Sequence, residues 1–350
     1  IANKMPDIVC GELFIKSQIE LNYYEALTIP EEIKSNIDQV FWDQVSDEEG
    51  NIYGYPVYTG CSALVYNETL VRNAGLVNAD GSVRIPQTMD ELMDFASQVY
   101  SRSNHEIGGF LMNAVPGVGS AYRNVTIMQM FGGGFYDDEG NLIINSEESK
   151  AAMQWLQDIS AYQYSGNTAI TEEAQINKLF LDNKVAFAIE SGPLTYASSD
   201  IKTDHLKVAA LPAVSGQPST NLLVGSVSYM ISKSCKNKEV AQAFLEHLVS
   251  PEVQEMIYLQ SSNRVPVRRD VISDLLLSEE EEVIARNEVM RPYIESLFSA
   301  EHLVAGLPSF GNNYSKIWNS WTTTIQNILG RNGDVDQYLD DFAQTVLENT

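Results

Sequence analysis

Side chains that commonly carry out chemistry are few and scattered in this sequence. His105, His205, His247 and His302 lie far apart, none at the spacing of an HExxH pair or another zinc-ligand run. They read as surface or structural residues. No GxSxG nucleophile elbow and no GxxxxGK[ST] phosphate loop occurs. Gly132-Gly133-Gly134 follows a helical segment instead of a strand, which fits a helix C-cap and turn, not a dinucleotide loop. Asp137-Asp138-Glu139 is acidic but lacks the spaced ligands of a calcium loop, so a solvated turn is expected. Among 47 Asp and Glu, none stands out as half of an acid–base pair. The sequence thus points to no catalytic residue, no metal site and no cofactor.

Tyrosine is the suggestive residue: 17 Tyr stand against 12 Phe and 4 Trp. A phenol ring offers a flat apolar face and a polar edge, which suits the C–H face and hydroxyl rim of a sugar. The formal net charge of -25 repels phosphate backbones, so nucleic acid is excluded as a partner. The odd set Cys10, Cys61 and Cys235, without a CxxC pair, argues against a closed disulfide framework. No apolar run approaches the roughly 20 residues that span a bilayer. The chain opens at Ile1-Ala-Asn-Lys-Met with no visible secretory signal, and is read as a processed or truncated product.

The elements that must position any site alternate as in an α/β protein. Strands are expected at Asp7–Cys10, Ile52–Val57, Ala63–Tyr66, Lys184–Ile189, Leu206–Leu211 and Val224–Ile231. Thr88-Met-Asp-Glu91 is a capping box opening a helix that buries Leu92, Phe95, Ala96 and Val99. A second helix starts at Asn145 or Ser146, with Ala152, Trp155, Leu156 and Ile159 inward. A third is capped at Asn237 and buries Ala241, Phe244, Leu245 and Leu248; Pro251 starts a fourth. From Asn312 onward the chain reads as mostly helical. A length of 350 residues implies two domains. No linker separates them, so the chain is expected to cross between lobes several times.

Several segments in order resemble the family 1 extracellular solute-binding proteins, the maltose-binding group. They are Met5-Pro-Asp-Ile-Val9, Tyr53-Gly-Tyr-Pro56 followed by Ala63-Leu-Val-Tyr-Asn67, and Ile85-Pro-Gln-Thr-Met-Asp-Glu-Leu92. Phe180 to Pro193, Ala210-Leu-Pro212 with Ser232 to Leu245, and Arg264-Val-Pro-Val-Arg268 continue the series. Asn183-Lys184 lacks a usual Gly, Met89 replaces a usual Trp, and Leu194 stands where an aromatic is common. The first strand-helix-strand-helix of that family, roughly 50 residues, is not in this sequence.

The resemblance implies a type II periplasmic-binding-protein fold of two α/β lobes: residues 1-62 plus 227-307, and 63-226 plus 308-350. It implies an extracytoplasmic, monomeric binding protein, a surface lipoprotein or periplasmic, that closes on a sugar and presents it to ABC permease subunits. The segments it places at the cleft hold Glu12 and Phe14; Tyr58, Thr59, Gly60 and Ser62; and Ser120, Tyr122 and Arg123. Gly192, Leu194 and Thr195, then Gly225 and Ser226, and finally Asn312, Asn313, Tyr314 and Trp318 complete them. Glu12 would accept from sugar hydroxyls, while Tyr122, Tyr314 or Trp318 would stack on a pyranose. The alternatives are an anionic solute such as glycerol-3-phosphate, with Arg123 as its partner, a receptor domain for a sensor kinase, or a carbohydrate-acting enzyme.

Overall fold

The computed structural model describes residues 5–60, 62–111, 118–137, 139–164, 178–190, 205–214, 221–260, 264–299, 302–305 and 308–350. The first part of the chain runs β1 (Ile8–Gly11), α1 (Ile15–Glu20), α2 (Glu31–Ser35), α3 (Gln39–Gln44), β2 (Gly54–Gly60), β3 (Ala63–Asn67), α4 (Glu68–Asn73) and α5 (Met89–Arg102). It continues with β4 (Gly108–Phe110), α6 (Val118–Met130), α7 (Glu147–Ile159), β5 (Val185–Glu190), β6 (Leu206–Ala209), β7 (Asn221–Ile231), α8 (Lys238–Leu248) and α9 (Pro251–Gln260). The remainder is β8 (Val265–Pro266), α10 (Arg269–Leu277), α11 (Glu281–Ser299), β9 (His302–Ala305), α12 (Tyr314–Ile325) and α13 (Val335–Leu347).

The strands form two sheets. One has the order β1-β7-β2-β8, with β9 also paired to β7; the other has the order β4-β5-β3-β6. Strand β7 ties the first together. It pairs antiparallel with β1 (Cys10 opposite Tyr229) and β2 (Thr59 opposite Ser226), and its first residues run parallel to β9 (Leu222 opposite Leu303). Each sheet has its own core. Trp42, Tyr55, Met230, Leu245, Tyr258 and Tyr293 pack on the first, and Phe95, Trp155, Phe187, Trp321 and Phe342 on the second. The two lobes therefore fold around separate apolar centres, and the chain passes between them at β2–β3, along β7 and after β9.

Local sequence rules account for most of these elements. Thr88 Oγ1 accepts from the Glu91 amide at 3.1 Å, and Glu91 reaches back to the Gln87 amide at 2.8 Å. This capping box starts α5, whose Leu92, Phe95, Ala96 and Val99 are buried as the spacing predicts. Ser146 caps α7 by accepting from the Ser149 amide at 3.2 Å. The glycines after α6 close that helix: Gly132 takes φ +89° and Gly133 N–H donates to the Met128 carbonyl at 2.9 Å.

Strand β3 ends at Asn67 as expected, and the Asn67 side chain also accepts from the Leu70 amide at 3.1 Å and opens α4, a helix the sequence analysis did not foresee. One expectation fails. Phe244 is not in the buried face of α8 but 47% exposed, while Ala241 and Leu245 are buried. Apolar spacing on a helix marks a candidate face, and only Ala241 and Leu245 of this one are buried.

Trp321 is fully buried between Phe135 and Phe342, at ring-centroid distances of 5.6 and 5.1 Å. Trp321→Ala is expected to cost about 3–5 kcal/mol in urea denaturation. Leu347→Ala, at a side chain 62% exposed, should stay within about 0.5 kcal/mol.

Candidate functional site

The passages between lobes bring together residues distant in sequence. At the first, Thr59 is buried and its Oγ1 donates to the Gly225 carbonyl at 3.0 Å, tying β2 to β7 where both leave the sheet. Tyr58 is half-buried, with the Arg264 guanidinium 4.2 Å above its ring. Burial pushes the Tyr58 hydroxyl pKa up, and the charges of Tyr229 and nearby Glu12 add to that while Arg264 opposes it. Ser62 is buried, and its Oγ has no hydrogen-bond partner.

Glu12 follows β1. Its side chain is open to solvent, yet protein crowds it closely enough that desolvation raises its carboxyl above the ordinary 4.5. The next residues reach into the other lobe. Leu13 is buried in the core of the second sheet, and the Phe14 ring lies 4.9 Å from Tyr314 and 5.8 Å from Trp318 on α12. Ser17 Oγ accepts from the Phe310 amide at 3.0 Å and lies 3.3 Å from Ser309 Oγ. Three expected site residues, Phe14, Tyr314 and Trp318, thus form one aromatic cluster between lobes.

The other expected residues divide. Trp318 is only 3% exposed and also stacks on Phe135 at 6.4 Å, so most of its ring belongs to the core; its Nε1–H is buried without a partner. Asn312 and Asn313 are exposed on a turn of 3-10 helix, and the Asn313 amide donates to the Asn349 carbonyl at 2.9 Å. Arg123 is half-buried on α6 and already engaged by an interaction of its own. Ser120 and Tyr122 belong to the same helix, but their side chains lie outside the described residues, as do Gly192, Leu194 and Thr195 entirely.

Sequence reasoning missed Gln44, the last residue of α3. It is buried, and its carboxamide binds both strand β7 and the loop after β1. Nε2 donates to the Glu12 carbonyl at 2.7 Å and the Ser226 carbonyl at 3.2 Å, while Oε1 accepts from Ser226 N at 2.8 Å and Ser226 Oγ at 2.9 Å. Gln254 does similar service at the bulge of β2. Its Nε2 donates to the Val57 carbonyl at 2.7 Å, and its Oε1 accepts from the Val267 amide at 2.9 Å. A glutamine at a helix end carries no sequence signal for such a role.

A groove of about 1270 Å³ also separates the lobes, but none of the expected ligand residues lines it. Two turns of the same build front it, Asp47–Asn51 from one lobe and Asp137–Asn141 from the other. In the second, Asp137 accepts from the Asn141 backbone at 2.7 Å and side chain at 2.9 Å. The Asn141 side chain and backbone hold the Asp137 carboxyl below its ordinary pKa. Both its oxygens accept within the turn; Asp138 lies outside the described residues. Among the described residues, no group of three or more His, Cys, Asp or Glu could hold a metal ion, and no helix is long and apolar enough to cross a membrane.

Comparison with known proteins gives one answer. A galactooligosaccharide-binding protein of Bacillus subtilis strain 168 is 22% identical over 327 residues, covering 89% of this chain and 70% of that protein. The fold matches an ABC transporter solute-binding protein from Thermotoga lettingae bound with alpha-D-tagatose: TM-score 0.79, 24% identity, 99% of this chain and 86% of that one. Maltose-bound MalE3 of T. maritima matches with TM-score 0.79 and 20% identity over 99% of this chain and 85% of that one. The two-lobed, type II architecture is thus shared with both. The family described as bacterial extracellular solute-binding protein matches residues 3–287, and with that span of the chain accounted for, this protein belongs to the bacterial extracellular solute-binding proteins.

Proposed function

We propose that this chain is the substrate-binding protein of an ABC importer, capturing a sugar or oligosaccharide between its lobes and delivering it to a membrane permease. The observation that carries this reading is the convergence of Phe14, Tyr314 and Trp318 beside the Glu12 loop, where the two lobes meet. An aromatic face suits the C–H face of a polyol and a carboxylate accepts from its hydroxyls, and Glu12 stands two residues before Phe14 in the same loop. The ligand names of the relatives agree: a galactooligosaccharide, a tagatose and a maltose. Glu12 also disfavours an anionic solute, which its carboxylate would repel across a short distance.

In this reading residues 1-62 plus 227-307 form one lobe and 63-226 plus 308-350 the other. The lobes rotate about the three passages and close on the ligand, because the ligand contacts both better when they are closed. The protein works as a monomer outside the cytoplasm, as a surface lipoprotein or free in a periplasm, and performs no catalysis. A micromolar Kd requires about -8 kcal/mol, within reach of a few hydrogen bonds to charged groups at about 1.5–3 kcal/mol each and one or two ring stacks.

The direct test is thermal shift and calorimetric titration with galactotriose, maltotriose, tagatose and glycerol-3-phosphate, with recovery of the sugars afterwards. A sugar at 100 times its Kd should add about 2.7 kcal/mol of stability and be recovered intact. Tyr314→Ala should weaken that sugar roughly three- to tenfold, the worth of one ring contact. A shift with glycerol-3-phosphate alone, or cleaved sugar, would reject the reading.

The Glu12 carboxyl gives a second test. Its pKa is raised in the folded protein, so as pH falls it takes a proton before an ordinary glutamate does. A carboxylate accepts sugar hydroxyls on both oxygens, whereas protonation turns one oxygen into a donor and leaves a weaker acceptor. Sugar affinity should therefore be full near pH 7 and decline on acidification at a higher pH than an ordinary glutamate would give. Glu12→Gln should bind more weakly at pH 7 and lose that pH dependence, as read by titration at several pH values.

A further inference from the structure

Strand β1 ends its pairing with β7 at Gly11 opposite Ser228. Beyond it the chain leaves the sheet to form the loop that carries Glu12, Leu13 and Phe14. Strand β7, however, continues toward the other lobe, and Ser226 there would face an empty ladder position on the side β1 has vacated. Gln44 fills it. Its carboxamide presents an acceptor to the Ser226 amide at 2.8 Å and a donor to the Ser226 carbonyl at 3.2 Å, the two bonds a neighbouring strand residue would make. The same Nε2 holds the departing Glu12 carbonyl at 2.7 Å. Ser226 Oγ adds a bond to Gln44 Oε1 at 2.9 Å and one to Ser228 Oγ at 2.8 Å. All these residues except Glu12 are buried, so water does not substitute for the carboxamide.

We propose that Gln44 is a positioning residue for ligand binding: it replaces a missing strand neighbour at Ser226 and sets where the Glu12–Phe14 loop leaves the sheet. The assignment of Glu12 and Phe14 to the ligand rests on the function proposed above; the coupling of Gln44 to their loop does not. The loop and the passage of β7 between lobes share one side chain, so motion of one is felt by the other. Gln44 itself touches no ligand. It acts through the Glu12 backbone.

The test compares Gln44→Met, which keeps length and bulk without hydrogen bonds, and Gln44→Glu, which keeps acceptors for Ser226 and loses the amide donor, in the full chain. Amide hydrogen exchange is followed without ligand. Gln44→Met should speed exchange at Ser226 and over Leu13–Phe14 at least tenfold, with amides on α9 and α7 unchanged. Gln44→Glu should retain protection at Ser226 while the Leu13–Phe14 segment still exchanges faster. Acceleration spread evenly over the lobe in proportion to lost stability, or none at the loop, would overturn the proposal. With galactotriose as probe, Gln44→Met should weaken binding about tenfold, chiefly through faster dissociation. A wild-type protein that binds no sugar defeats the proposed function and leaves the exchange result to decide on Gln44; a wild type that binds while both variants bind equally well overturns the positioning role.

Discussion

The structure depends on keeping β7 hydrogen-bonded while it passes from one lobe to the other. Eleven residues, Asn221–Ile231, run as one strand. A buried backbone amide or carbonyl without a partner costs about 1–3 kcal/mol, so a strand that changes neighbours must find a substitute at every gap. Here the neighbours change from β9 at Asn221–Val224 to β2 at Gly225 and then to β1 from Ser228. The gap beside Ser226 is closed by Gln44, and the irregularity in β2 after Pro56 by Gln254. Both substitutes are amides, the side-chain group that reproduces a peptide's donor and acceptor without charge. A charged residue would carry a desolvation cost at either place.

Much of the fold was legible because its signals are local. Thr88, Ser146 and Pro251 each mark a helix start through bonds or backbone angles that span three or four residues. The apolar spacing of α5 and α7 names their buried faces without reference to the rest of the chain. What was hidden depends on distant partners. Phe244 has the right spacing for a buried face, but burial requires a partner opposite, and Phe244 remains 47% exposed. The Gln44 carboxamide meets residues 182 positions away, which no window of sequence contains.

The site was legible as segments and not as side chains. The resemblance to solute-binding proteins put Glu12, Thr59, Gly225 and Tyr314 at a cleft, and in the structure they lie near the ends of β1, β2 and β9 and within β7. It did not say which way each side chain turns. Thr59 spends its hydroxyl on the Gly225 carbonyl, and Asn313 spends its amide on Asn349. Both are polar residues at suitable positions whose groups are already used by the protein.

In the proposed function, contacts the protein already makes limit what a ligand between the lobes gains. Phe14 already covers Tyr314 and Trp318, so a ligand that stacks there replaces one ring contact with another and gains only the difference. Leu13, in the second core, likewise ties the lobes before any ligand arrives. Apolar contact alone is therefore a weak source of selectivity. The larger gain lies with buried groups that still lack a partner: the Ser62 hydroxyl and the Trp318 Nε1–H. Supplying a partner to such a group recovers about 1–3 kcal/mol, and every ~1.4 kcal/mol is about tenfold in affinity. In the proposed function a solute dense in hydroxyls can supply such a partner. A hydrocarbon of the same size cannot, and an anion that could satisfy both donors would meet Glu12.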